Sequence, residues 1–302
     1  MVASHLANWT GPLVAAECRA AHNAYRAAKT ASYQSYFKAN PRLKADDHAF
    51  KAADLATALP DDWGGLADLL PRSERHRHHL SGNSSQVLAL GLLGVAMKFD
   101  PSLGWLWDGL SPLPPPTAPA PAATFEHKLA PEVLGEQPRQ TSLDFYVDDT
   151  AALLCIEAKW TEAGIGACGC GAKAAAVADC SDKVLQRKTY WDVATNVFHL
   201  PDREEAESCP LSFTYQAVRN VAAALALAKP GQQAVFGLIY DADNPYFAGC
   251  GTWPGWPSAL HATLDQVDAP VCFVSVSWQE LLPLLPLDAA TYAWAADKHG
   301  LR

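Results

Sequence analysis

No apolar run in this chain approaches the roughly 20 residues that a membrane-spanning helix needs. The best candidate, "VAAALALA" at 221–228, is short and alanine-rich, so no membrane partner is expected. The opening "MVASHLANWTGP" lacks both the basic flank and the apolar stretch of a secretory leader, which sets the expectation of a cytoplasmic protein. No GxGxxG, Walker loop or GxSxG falls in a strand-to-helix setting, so dinucleotide, ATP-dependent and serine-hydrolase chemistry lack support. Positive charge is scarce as well, with a formal net charge of -9. That argues against a protein that coats nucleic acid, because phosphate contacts require local Lys and Arg. A basic cleft on an acidic body stays open, and "PRSERHRHH" (71–79) and "KVLQRK" (183–188) are candidate patches or simply solvated surface.

What is present is a globular composition: 302 residues, 49% hydrophobic and 18% charged, enough for a sizeable core in one large domain or two ordinary ones. Leu13, Cys18, Ala21, Tyr25 and Ala28 recur at helical spacing from Pro12 onward. Pro41 ends that run, and "DDHAFKAADLATAL" supplies a second amphipathic stretch. The segment "GNSSQVLALGLLGVAMKF" reads as a helix apolar nearly all round, hence internal, with Asn83 able to cap it and Gln86 at the capping-box position. A Pro-rich connector (108–124) follows. Strands are expected at 122–130, 142–148 and 151–160, the last two joined across Asp148-Asp149-Thr150. After an irregular stretch (161–210) come a helix over 212–229, strands at 233–241 and within 269–282, and a helical C-terminus. The order from residue 83 is helix, three strands, helix, strand, which gives an α/β sandwich around a mixed sheet.

The hairpin "TSLDFYVDDTAALLCIEAKW" (141–160) sets Asp144, Glu157 and Lys159 among Leu, Phe, Val and Ile, where lone charges are costly to desolvate. Glu157 and Lys159, two apart, share a face. A turn centred on Asp149 and Thr150 would put Asp144 across from Cys155, on that same face. Two carboxylates roughly 4 Å apart repel by about 4 kcal/mol at an effective dielectric of 20. A proton, Lys159 or a divalent cation must offset this. Two carboxylates with open positions, helped by the carbonyl of Ile156 or Ala158, suit Mg²⁺ or Mn²⁺ and metal-assisted phosphodiester hydrolysis. The ammonium would orient the nucleophile and stabilise added negative charge. The competing reading is a structural ion pair with a solvent-facing Asp144.

Asp144 followed, after the hairpin, by Glu157-Ala158-Lys159 resembles the PD-(D/E)XK nuclease superfamily over roughly residues 83–241. The resemblance implies a restriction-endonuclease-like αβββαβ core with a mixed central sheet, a helical N-terminal portion (1–82) packed on a nuclease-like domain (83–302), and a Cys-rich insertion (161–210). It implies metal ligation by Asp144 and Glu157 and a catalytic role for Lys159. Glu126 on the first strand matches the upstream acid of many members, and Gln216 the helix residue of some branches; Ser85 and Gln86 can reach the same pocket. Leu143 stands where the motif's proline would be, a departure that lowers the motif's specificity. The implied activity is a Mg²⁺- or Mn²⁺-dependent nuclease acting on nucleic acid, DNA by expectation, and double-strand cleavage would favour a homodimer. The alternative is a non-catalytic module that keeps the fold, binds nucleic acid or protein, and uses a cysteine metal site as a structural staple.

Eight cysteines in a long chain without an export signal point to reduced thiols rather than disulfides. Cys168, Cys170, Cys180 and Cys209 could close a Zn²⁺ site or hold an iron-sulfur cluster, with His199 able to replace a thiol, although one residue between Cys168 and Cys170 is unlike common zinc knuckles. Cys18, Cys155, Cys250 and Cys272 fall in helical or strand contexts and read as core. Trp253 and Trp256 in "TWPGWP" could stack on bases or pack a core. Arg219 could meet phosphate or close an ion pair.

Overall fold

Eleven consecutive buried residues, Gln86 to Ala96, make the 85–99 run the internal helix its composition demands. The computed structural model describes residues 12–40, 45–46, 49–50, 52–60, 65–76, 78–136, 140–166, 190–200, 211, 214–265 and 270–302. Four helices frame the candidate site and its surroundings: α1 (Pro12–Ala39), α2 (Ser85–Phe99), α3 (Tyr215–Leu227) and α4 (Ala289–His299). They surround a five-stranded sheet of β1 (Ala122–Lys128), β2 (Ser142–Asp148), β3 (Ala152–Ala158), β4 (Gln233–Tyr240) and β5 (Val271–Ser277), hydrogen-bonded in chain order. β1–β2 and β2–β3 are antiparallel, whereas β3–β4 and β4–β5 are parallel. α3 supplies the crossover that the parallel β3–β4 pair requires. All seven residues of β3 are buried, as expected of a central strand covered on both faces.

Each face carries its own core. Leu154, Ile156, Val235 and Ile239 pack with α2 and α4. Leu153, Cys155, Phe236 and Leu238 pack with α3 and with the helices Tyr190–Asn196 and Trp256–Leu264. α2 approaches α4 so closely that a Cβ on Gly91 would run into the Trp294 ring. Burying Val87, Leu88, Leu92 and Leu93 contributes about 1.5–3 kcal/mol per side chain, so Leu92→Ala would cost about 2–5 kcal/mol.

Three local expectations are corrected. The second amphipathic stretch folds into two two-residue strands, Ala45–Asp46 and Ala49–Phe50, and a single helical turn, Leu55–Ala58, because Asp54 caps Thr57 N there and starts the helix late. α2 is capped by Ser84, which accepts from Val87 N, while the Asn83 amide oxygen is taken by the Ser81 hydroxyl. The hairpin register is shifted: Tyr146, not Asp144, faces Cys155, and Asp148 faces Leu153. The cause is Asp149, whose carboxylate accepts from Ala151, Thr117 and Ala118 N–H groups while its own N–H donates to Ala152 O at 3.0 Å, so the turn falls on Thr150 and Ala151, one residue later than expected. A two-residue shift keeps every side chain on its original face.

Candidate active site

The shifted register brings the acids closer than the expected register would have done. Carried one step beyond Phe145↔Ile156, it sets Asp144 opposite Glu157. On the other side, Phe125↔Phe145 and His127↔Leu143 leave Glu126 opposite Asp144. Three carboxylates therefore stand in one row across β1, β2 and β3, at the end where β3 leaves the sheet.

Each is held differently. Asp144 is partly accessible, and its Oδ2 accepts from Ala158 N at 2.9 Å. Glu157 is buried; Oε2 accepts from Asn220 Nδ2 at 2.7 Å, and Oε1 pairs with Lys159 Nζ at 2.6 Å. Lys159 donates to Gln216 Oε1 at 3.0 Å. Glu126 has φ of +48°, a left-handed backbone rare for glutamate that costs on the order of 1–3 kcal/mol. The kink breaks the strand's alternation, burying Phe125 and Glu126 in succession. Its carboxylate is fixed by Gln86 Nε2, by Ser142 Oγ at 2.9 Å and by His76 Nε2 at 3.5 Å.

The charges strain one another. Burial, then the charges of Glu157 and Glu126, push the Asp144 carboxyl well above the usual carboxylate range. Burial raises Glu126 as well, against the pull of His76. For Lys159, burial alone would favour the neutral amine, but Glu157, Glu162 and Asp144 outweigh it and hold the ammonium charged. One cation faces three acids, and a divalent ion would relieve the excess.

The residues fit a hard ion of limited demand. Glu157 Oε1 is met, among the described residues, by the Lys159 ammonium alone, and Asp144 keeps a partly accessible carboxylate. Among the described residues no three His, Cys, Asp or Glu side chains form a closed metal cage. That is the donor set of an ion that retains water and accepts phosphate oxygens rather than one enclosed by protein. Glu126, already taken up by three partners, serves as a wall of the site.

Gln86 and Gln216 both reach the cluster, as their positions predict. Ser85 instead donates to Glu162 Oε1 at 2.6 Å, and Glu162 Oε2 accepts from Trp160 N at 2.7 Å. Glu162 and Asn220 escape sequence reasoning; the available signal was Asn220 four residues after Gln216 on an otherwise apolar helix. Gly166, φ +65°, is a third such residue: its missing Cβ leaves room for the Gln216 side chain. Arg219 points elsewhere, pairing with Glu136 at 3.0 Å and donating to Thr141 Oγ1 at 2.7 Å. Trp253 and Trp256 are buried, which removes them as base-stacking platforms. Cys18 and Cys155 are buried, whereas Cys250 and Cys272 are partly exposed. The thiols Cys168, Cys170, Cys180 and Cys209 and the patch 183–188 lie outside the described residues; His199 is exposed. No described helix is long and apolar enough to cross a membrane.

Residues 64–298 match the family REase-ARP, described as restriction endonuclease associating with ARP. No curated protein matches the chain, and no solved structure does. The match spans most of the chain, including every residue of the acid row, and the chain belongs to that restriction-endonuclease-like family.

Proposed function

We propose that this member of a restriction-endonuclease-like family is a metal-dependent nuclease of the PD-(D/E)XK type that hydrolyses phosphodiester bonds, with DNA as substrate. The observation that carries the reading is the gathering of a partly accessible, charge-strained Asp144 and a buried Glu157 around the single ammonium of Lys159, which serves more acids than one cation can neutralise. Asp144 and Glu157 would hold Mg²⁺ or Mn²⁺, which supplies activation of water and neutralisation of charge growing on the phosphate. The rest is done by the chain. Lys159, kept protonated by its acidic neighbours, presents N–H donors to the attacking water and the phosphate oxygens. Gln216 and Asn220, one helical turn apart, fix the Lys159 and Glu157 side chains, so little reorganisation remains when substrate arrives. Glu126 and Gln86 close the buried side against water.

Cleavage of plasmid and single-stranded substrates in Mg²⁺ and Mn²⁺ tests the reading. Asp144→Ala and Lys159→Ala should each abolish cutting while circular dichroism and melting stay native-like. Cutting retained in both variants would sink the mechanism. Nucleic-acid or protein binding that ignores Mg²⁺, with no cutting in either metal, would point to the non-catalytic module instead.

A further inference from the structure

Next to the acid row lies a cleft of about 530 Å³ whose lining includes His22, Arg26, His76, His78, Ser85 and Glu162. Its walls come from α1, from the loop before α2, from the start of α2, and from the segment that follows β3. Two contacts join it to the catalytic cluster: His76 to Glu126 at 3.5 Å, and Ser85 to Glu162, the acid that helps hold Lys159 charged. The cleft sets the Arg26 guanidinium and three histidines against one carboxylate, Glu162. Arg26 is exposed and has no ion-pair partner among the described residues. Glu162, the lining carboxylate, is occupied by the Ser85 hydroxyl and the Trp160 N–H and faces Lys159.

The α1 wall is built to stay in place. Tyr25 donates to Trp160 O at 2.8 Å and to Asp241 Oδ2 at 2.9 Å, Lys29 pairs with Asp241 at 2.7 Å, and His22 Nε2 donates to Thr161 O at 3.1 Å. His22 and Arg26, four apart, share one helix face. Both precede residue 64, where the family match begins.

Resting on the nuclease reading, we infer that this cleft holds a backbone phosphate of the substrate strand flanking the scissile one, with Arg26 as its charged contact and His78 beside it. The α1 helix is thereby part of the substrate-binding surface.

Fluorescence anisotropy of a labelled DNA duplex, the matching RNA duplex and the DNA single strand, in EDTA so that nothing is cut, tests this on the full chain. Arg26→Ala should weaken binding about tenfold at low salt and reduce the slope of log K against log salt by about 1, with an unchanged melting temperature. Lys38→Ala, exposed and three turns further along α1, should leave both at the wild-type value. Wild-type binding and slope in Arg26→Ala, or an equal loss in Lys38→Ala, would overturn the inference while leaving the nuclease reading intact if the wild type still cuts. A wild type that binds none of the three probes would overturn both.

Discussion

Two buried carboxylates, Glu136 and Glu157, are met by adjacent residues of the same helix, and their ion pairs are finished differently. Arg219 meets Glu136, whose Oε2 accepts from Thr141 N at 2.6 Å, Thr141 Oγ1 at 2.7 Å and Arg219 at 3.2 Å, while Oε1 pairs with Arg219 Nε at 3.0 Å. Every charge there has its counter-charge and its donors. Asn220 meets Glu157, where one lysine serves three acids and Asp144 is held far from its ordinary ionisation. A pair kept only for stability is satisfied like the first, because a buried charge without its counter-charge costs several kcal/mol. The second keeps its deficit, as expected where a ligand completes the site. That contrast is the physical reason to prefer a metal site over a structural ion pair at the hairpin.

The sharpest way to break the comparison is to remove the cation beside each carboxylate, Lys159 beside Glu157 and Arg219 beside Glu136. Lys159→Met should lower cleavage by about 10²–10³-fold or more with a modest change in melting. Arg219→Met should cost about 3–5 kcal/mol in chemical denaturation yet leave turnover per folded molecule near wild type; a variant that instead folds normally and cuts poorly would erase the distinction. Next in size, Mg²⁺ at a hundredfold excess over its dissociation constant should stabilise the wild type by about 2.7 kcal/mol. Calorimetry should show no such gain in Asp144→Asn.

Asp144→Asn should also raise the melting temperature of the metal-free protein, by about 2–4 °C, while abolishing cutting. The sign comes from the raised Asp144 carboxyl. Its folded-state ionisation lies above the unfolded one, so its contribution to stability is full at acid pH and is lost as pH rises through the folded value. The advantage of asparagine should therefore widen from about pH 4 to pH 8, and an advantage that is flat or narrows with pH would contradict the charge-strained acid row. The smallest effect is expected from Gly166→Ala. It strains a left-handed backbone by about 1 kcal/mol and pushes against Gln216, so cleavage should fall several-fold with kcat affected more than KM.

Much of the core is legible in the amino-acid order alone. The internal helix at 85–99, the strands 142–148 and 152–158 and the helix carrying Gln216 all follow from apolar periodicity and turn residues, because burial of one face or of both imposes that pattern on the chain. The shared face of Glu157 and Lys159 follows from the two-residue period of a strand. The residues missed were those whose neighbours are distant in sequence. Asn220 looks like any helix amide until β3 lies beneath it, Glu162 like any loop acid until Ser85 reaches it, and Gly166 like any loop glycine until Gln216 fills its space.

What the sequence determined by itself was the set of elements and the identity of the charged residues forced among apolar ones, since local propensity and hydrophobic alternation are written residue by residue. Only the tertiary structure decided the hairpin register, the left-handed turn at Glu126, and the placement of α1 against the site. Those rest on hydrogen bonds and charge pairs between segments tens to hundreds of residues apart, such as Asp149 with Thr117 and Tyr25 with Asp241, and no local pattern encodes which distant partner a polar side chain will meet.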